Sequence, residues 1–146
     1  MGKRIVVFCD GTWNKPDQEE DGKPCSTNVA KLHAAVADRD SKGVEQRAQY
    51  LPGVGTGLFD RILGGLFGWG LSEKVQEAYR FLIDCYEPGD ELFFFGFSRG
   101  AYTARSTVGL IRNCGLLRRE FADRLDAAYR LYRRRDTASH PSSAES

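Results

Sequence analysis

Residues Glu91 to Cys114, ELFFFGFSRGAYTARSTVGLIRNC, constrain the fold of this chain more than any other stretch. Leu92 to Phe95 form a short, continuous run of large apolar residues, the composition of a strand buried on both faces. Ala101 to Arg112 continue through Ala, Thr, Leu and Arg without a proline, which predicts a helix. Between them lies Gly96-Phe97-Ser98-Arg99-Gly100, a G-x-S-x-G. Reversing from strand into helix in so few residues requires a sharp turn, with Ser98 at its apex in a strained conformation. A side chain at either flanking second position would collide with the neighbouring strand or helix, and glycine at 96 and 100 removes the collision. Such a turn holds the serine hydroxyl clear of the sheet at the positive end of a helix, with the Arg99 N–H directed to where an oxyanion would form. Ser98 is therefore the candidate catalytic nucleophile, Arg99 a candidate oxyanion-hole donor, and Gly96 and Gly100 its supports. The competing reading is an ordinary strand–turn–helix corner with a surface serine.

A second group of candidates follows the first strand. Residues 4–9, RIVVFC, are β-prone, and Asp10-Gly11 ends them. Asp-Gly-Thr after an apolar strand is similar to the haloacid dehalogenase phosphatases. Those need a nucleophilic aspartate two residues before the second one, and Phe8 stands there. The better use of this loop is to give backbone N–H groups from Gly11 or Thr12 as the other half of an oxyanion hole, with Asp10 in support. A plain tight turn, Asp10 bonding its own backbone, is the alternative.

The remaining segments read as alternating helices and loops. Residues 15–26 are polar with two prolines, an exposed loop. Thr27 or Asn28 caps a helix to about Asp38, with Val29, Leu32, Ala35 and Val36 on one face and His33 solvated off it. Arg47 to Leu51 is a short strand. Gly53-x-Gly55-x-Gly57 matches neither the dinucleotide-binding nor the Walker pattern. The apolar, glycine-rich segment 58–71 is the candidate for membrane-surface contact or a mobile lid, against a helix packed on its own core. Ser72 caps a helix over 72–86 whose inward stripe is Val75, Tyr79, Leu82, Ile83 and Tyr86. Gly115 stops the helix after the serine. A last amphipathic helix runs from Glu120 to about Arg134. With the first strand, this order predicts an α/β domain: a parallel sheet flanked by helices.

Composition narrows the function classes. A net charge of +1 over 146 residues carries no field that would draw nucleic acid, and no stretch approaches transmembrane length. Cys9, Cys25, Cys85 and Cys114 form no C-x-x-C, and no histidine completes a zinc set, so neither metal nor cofactor is expected. Three of them lie in apolar elements, as small core residues. The start, MGKRIVVFCDG, reads as a strand and not a signal peptide.

Four stretches together carry a resemblance: IVVFCDGTWN at 5–14, TNVAKL at 27–32, YLPGVGTG at 50–57, and AYRFLIDCYEPGDELFFFGFSRGAYTARSTVGLIRNCGLL at 78–117. They are similar, in order, to the α/β-hydrolase domain family that includes the type VI secretion phospholipase effectors. The resemblance implies a serine hydrolase of ester bonds, with phospholipid as substrate class, Ser98 as nucleophile and Asp10 to Thr12 as oxyanion loop. It also implies a triad acid and histidine after the serine, in segments resembling W-D-T-V and G-x-H-x-D-V-G-G that do not occur here. The histidine after Ser98 is His140, in a polar tail, and the aspartates are Asp123, Asp126 and Asp136. The expectation is therefore that residues 1–135 are the N-terminal part of an α/β-hydrolase domain, truncated on its C-terminal side, with 136–146 a disordered tail. An inactive remnant binding lipid or a protein partner is the alternative. The expected location is cytoplasmic, with export as an effector lacking a signal peptide left open.

Overall fold

The computed structural model describes residues 2–11, 19–20, 23–53 and 67–134. In chain order the elements are β1 (Arg4–Cys9), β2 (Glu19–Glu20), β3 (Lys23–Pro24), α1 (Asn28–Ala34), β4 (Gln46–Leu51), α2 (Phe67–Cys85), β5 (Glu91–Gly96), α3 (Arg99–Cys114), a 3-10 turn (Arg119–Arg124) and α4 (Leu125–Arg133). β1 lies at the centre of a three-stranded parallel sheet of order β4-β1-β5. Arg4 pairs with Gln46 on one side and Glu91 on the other, and Cys9 with Leu51 and Gly96. The C-terminal ends of the three strands are thus level, and the loops after them share one edge. The expected α/β class is observed as this small sheet with helices on both faces.

Alternation along β1 divides its side chains between two cores. Ile5, Val7 and Cys9 point to one face and are buried with Leu51, Ala78, Leu82 and Ala104 under α2 and α3. Val6 and Phe8 point to the other face, against Val29 of α1. A third cluster joins α2 and α3 to α4 through Val75, Tyr79, Ile83, Leu110 and Leu125. Tyr79, fully buried, donates its hydroxyl to Gly115 O at 2.7 Å and accepts from Leu117 N at 3.1 Å. That pair of bonds fixes the chain reversal after α3. Among the described residues no helix is long and apolar enough to cross a membrane.

Several expectations are corrected. β5 is an edge strand here: Phe93 is 40% and Phe95 43% exposed, so the aromatic run is buried on one face only. α2 starts at Phe67, not at Ser72, which lies inside the helix and whose Oγ accepts a bond from Tyr129 OH at 2.9 Å. The polar stretch 15–26 contains the two short strands β2 and β3, paired antiparallel. α1 stops at Ala34, short of Asp38, because residues 38–46 turn back on themselves: Asp40 accepts from the N–H groups of Lys42 and Val44, and Gly43 adopts φ +79°. The last helix is broken at Phe121 into a 3-10 turn and α4. Thr12 and the segments 54–66 and 135–146, with His140 and Asp136, lie outside the described residues, as does most of the candidate membrane-contact stretch.

Candidate active site at the strand–helix corner

β5 ends at Gly96 and α3 begins at Arg99, so two residues make the whole reversal. Ser98 takes φ +53° and ψ −124°, and among the described residues it is the one non-glycine with positive φ. Such a conformation costs roughly 1–3 kcal/mol and persists only where the surroundings hold it. Here one holding bond comes from the end of β1 and two lie within the turn itself. Phe97 N–H donates to Cys9 O at 3.1 Å, Gly100 N–H to Phe97 O at 2.8 Å and Ala101 N–H to Ser98 O at 3.0 Å. The glycines are required by space. A Cβ on Gly96 would lie 2.6 Å from Ala101 Cα, and one on Gly100 would lie 2.1 Å from Cys9 O. Gly96 therefore lets the new helix fold back over the strand, and Gly100 lets it sit against the end of β1.

Ser98 is exposed, and its hydroxyl makes no capping bond to α3. It stands instead at the N-terminal, positive end of a 16-residue helix. Because Cys9 pairs with Gly96, the chain leaving β1 passes directly beside this corner. The next residue, Asp10, is only 3% exposed. Its Oδ1 accepts from Gly11 N–H at 2.7 Å, and its Oδ2 from Thr27 Oγ1 at 2.5 Å and Tyr50 OH at 2.6 Å. Thr27 Oγ1 in turn accepts from Ala30 N–H at 3.0 Å as the cap of α1. One buried carboxylate thus ties together the ends of β1 and β4 and the start of α1. The N–H of Gly11, expected to face an oxyanion, is engaged by Asp10 in this structure.

The other candidates are dispersed. His33 is not solvated: it is half-buried, edge-on to Phe8 at 5.5 Å and tilted against Tyr50 at 5.4 Å between ring centroids. The inward face of α1 thus carries Val29 and His33, with Val36 packing on the same cluster just past the helix, and Leu32 is exposed. Asp123 and Asp126 are exposed. Cys114 Sγ contacts Ala128 O at 3.4 Å, which sets this end of α4 beside the far end of α3, about 24 Å along the axis from Ser98. Reading the sequence missed Tyr50 and the link from Thr27 to Asp10. Thr27 was legible as a cap, but nothing in the pattern marked Tyr50 as a partner.

Two largely apolar clefts open on the α1 face of the sheet, the first beside the corner and the second running on toward Arg4 and Glu91 at the other ends of the strands. The nearer, about 480 Å³, is lined by Val29, Leu32, Phe95, Gly96 and Phe97, with Thr27 and Cys25 at its rim. The farther, about 600 Å³, continues over Phe8, Val36 and Phe93. Phe97 is 57% exposed at the mouth of the first.

Comparison with known proteins follows the same residues. Residues 3–146 match the family described as T6SS, phospholipase effector Tle1-like, catalytic domain. An uncharacterized protein of Saccharomyces cerevisiae is 33% identical over 155 aligned positions, which cover 96% of this chain. The chain spans about a fifth of that relative, 22% of its length. No solved structure matches the chain.

Proposed function

We propose a serine ester-hydrolase function for this chain, which belongs to the catalytic-domain family of the type VI secretion Tle1-like phospholipase effectors. The substrate class is an acyl ester of a phospholipid. The observation that carries the reading is Ser98 at φ +53°, wedged between two glycines that admit no side chain, at the head of a long helix. No such strain is needed to connect a strand to a helix. It is of use where a hydroxyl must be presented in one orientation. The three strands are read as part of an α/β-hydrolase sheet, with β5 as the strand that delivers the nucleophile.

In this reaction Ser98 Oγ attacks the acyl carbonyl and its proton passes to a general base. The developing oxyanion is met by the Arg99 N–H and by an N–H of the loop after β1, with Thr12 as the donor once Asp10 has turned Gly11. Collapse breaks the ester bond and expels the alcohol, which takes the proton back. Water then cleaves the acyl-enzyme. The base and the acid that orients it come from outside the described residues. Asp10 serves as a strut, since both its oxygens are occupied by Gly11, Thr27 and Tyr50.

The test is covalent labelling with a fluorophosphonate probe, run on the chain and on Ser98→Ala with circular dichroism as a folding control. Labelling that disappears with Ser98→Ala is the expected result for any preparation containing the base. Labelling that persists in Ser98→Ala sinks the assignment. A second reading, a remnant that binds lipid or a protein partner, is favoured by the exposed Phe93, Phe95 and Phe97 along the apolar clefts. It requires binding without hydrolysis in a form that includes the base, and unchanged binding on Ser98→Ala. Export as an effector belongs with the first reading.

A further inference from the structure

On the sheet face opposite the apolar clefts, a polar cleft of about 370 Å³ lies between α2, α3 and α4. We propose that it is a phosphate-binding subsite for the substrate of Ser98, an inference that rests on the hydrolase reading. Its walls are Tyr102 and Ser106 of α3, Tyr129 and Tyr132 of α4, and the arginine pair Arg133 and Arg134 that ends α4. Among the described residues no carboxylate lines it. Neither guanidinium has an ion-pair partner among the described residues, whereas Arg4 and Arg47 are held by Asp40, Glu91 and Glu45.

The second observation is Ser106. It is 8% exposed, yet its hydroxyl has no hydrogen-bond partner among the described residues. Its neighbours Thr103 and Thr107 return their hydroxyls to the helix, donating to Arg99 O at 3.3 Å and Thr103 O at 2.9 Å. A buried hydroxyl left without a partner in a cleft wall calls for one from a ligand. The tyrosines are built in place. Tyr129 OH donates to Ser72 Oγ, and Tyr132 reaches the cleft by packing on Gly109, where a Cβ would come within 3.0 Å of its hydroxyl. Two planar guanidiniums with hydroxyl donors at several angles suit a tetrahedral oxyanion better than a planar carboxylate.

Position links the cleft to the serine. Ser98, Tyr102 and Ser106 follow one another at intervals of four, on one side of α3. The cleft therefore begins about 6 Å along the helix from Ser98 and reaches about 12 Å. In a glycerophospholipid only the glycerol carbons separate the acyl esters from the phosphodiester. A lipid with its carbonyl at Ser98 can thus lay its phosphate among these groups, while its chain enters the apolar cleft on the other side of the corner.

The experiment is calorimetric titration of the full chain at fixed salt with sn-glycero-3-phosphocholine and, separately, with inorganic phosphate. The variants are Arg133→Gln/Arg134→Gln, Ser106→Ala and Ser98→Ala. The probe has no acyl ester, so its binding is read whether or not Ser98 turns over a substrate, and failure of the fluorophosphonate labelling would leave this measurement untouched. The expected result is binding of the diester that weakens tenfold or more in the arginine double variant, weakens in Ser106→Ala and holds in Ser98→Ala. Absent binding to the parent chain, or binding unchanged in the double variant, overturns the proposal. Inorganic phosphate binding as tightly as the diester also overturns it, since the cleft would then be a site for free phosphate.

Discussion

The two faces of the sheet are built from the same three strands but finished differently. On the α2–α3 face, Ile5, Val7, Cys9 and Leu51 meet Ala78, Leu82 and Ala104, and β5 contributes Leu92 and Phe94 to the same cluster. On the α1 face, Val6 and Phe8 are covered, but α1 has only seven residues and packs chiefly on β1 and β4. Phe95 stacks on Phe8 at 5.2 Å between centroids, and beyond that the β5 aromatics face solvent. Stability is therefore concentrated on one face. The other keeps apolar surface available beside Ser98. An apolar strip running to the candidate nucleophile is what an acyl chain would require, and it is also what a further layer of structure would cover.

Paired truncations give the largest test of this difference. Leu82→Ala empties a fully buried site on the α2–α3 face and should cost about 2–5 kcal/mol. Phe93→Ala removes a larger side chain from the α1 face and should cost less than about 1 kcal/mol. Denaturant unfolding of the two variants decides it. If Phe93→Ala proves as costly as Leu82→Ala, the α1 face is covered in solution and the asymmetry is lost.

A smaller effect is expected where α1 is tied to the ends of the strands. Asp10 at the end of β1 receives Thr27 from the start of α1 and Tyr50 from the end of β4. Asp10→Asn keeps the shape but turns one acceptor into a donor facing those hydroxyls or the Gly11 N–H. The loss should be about 1–3 kcal/mol. Fluorophosphonate labelling of Ser98, in a form that labels, should fall with it. Full labelling in a destabilised Asp10→Asn would separate the loop from the oxyanion site and leave Asp10 a structural role alone.

How much of this was legible in the sequence differs between the same two regions. The corner was readable because its constraints are local: an apolar run, two glycines four residues apart and a helix-forming stretch leave one short path for the backbone. The Gly96 and Gly100 collisions depend on residues one turn away or on the adjacent strand. The exposure of β5 was not readable, because Phe93 and Phe95 have the composition of a buried strand and only the arrangement of neighbours reveals an uncovered face. His33 was misread for a similar reason. Its helix is too short to define a stripe, and its ring is placed by Phe8 and Tyr50, both distant in sequence. The early start of α2 escaped because glycines at 68 and 70 lower helix propensity. The break at Phe121 left the apolar period of the last helix nearly intact.

The smallest perturbation is chemical, and it compares the faces without a mutation. Cys9 is sealed under α2 and α3, and burial pushes its thiol up to about 12. At pH 8 roughly one molecule in ten thousand would carry the thiolate there, and that thiolate is also shielded from reagents. Cys85, in the same cluster, is pushed up to about 11, again by burial. Cys25 is exposed at the rim of the apolar cleft on the other face. Under native conditions iodoacetamide should modify Cys25 while Cys9 stays unmodified until the chain unfolds, as read by peptide mass spectrometry over time. Adding a short-chain phospholipid below its micellar concentration should slow Cys25 modification and leave Cys9 unchanged if the cleft takes the acyl chain. Modification of Cys9 at a rate near that of Cys25 would mean that the α2–α3 face opens as readily as the α1 face, and the contrast between a stabilising face and a receptive one would fail.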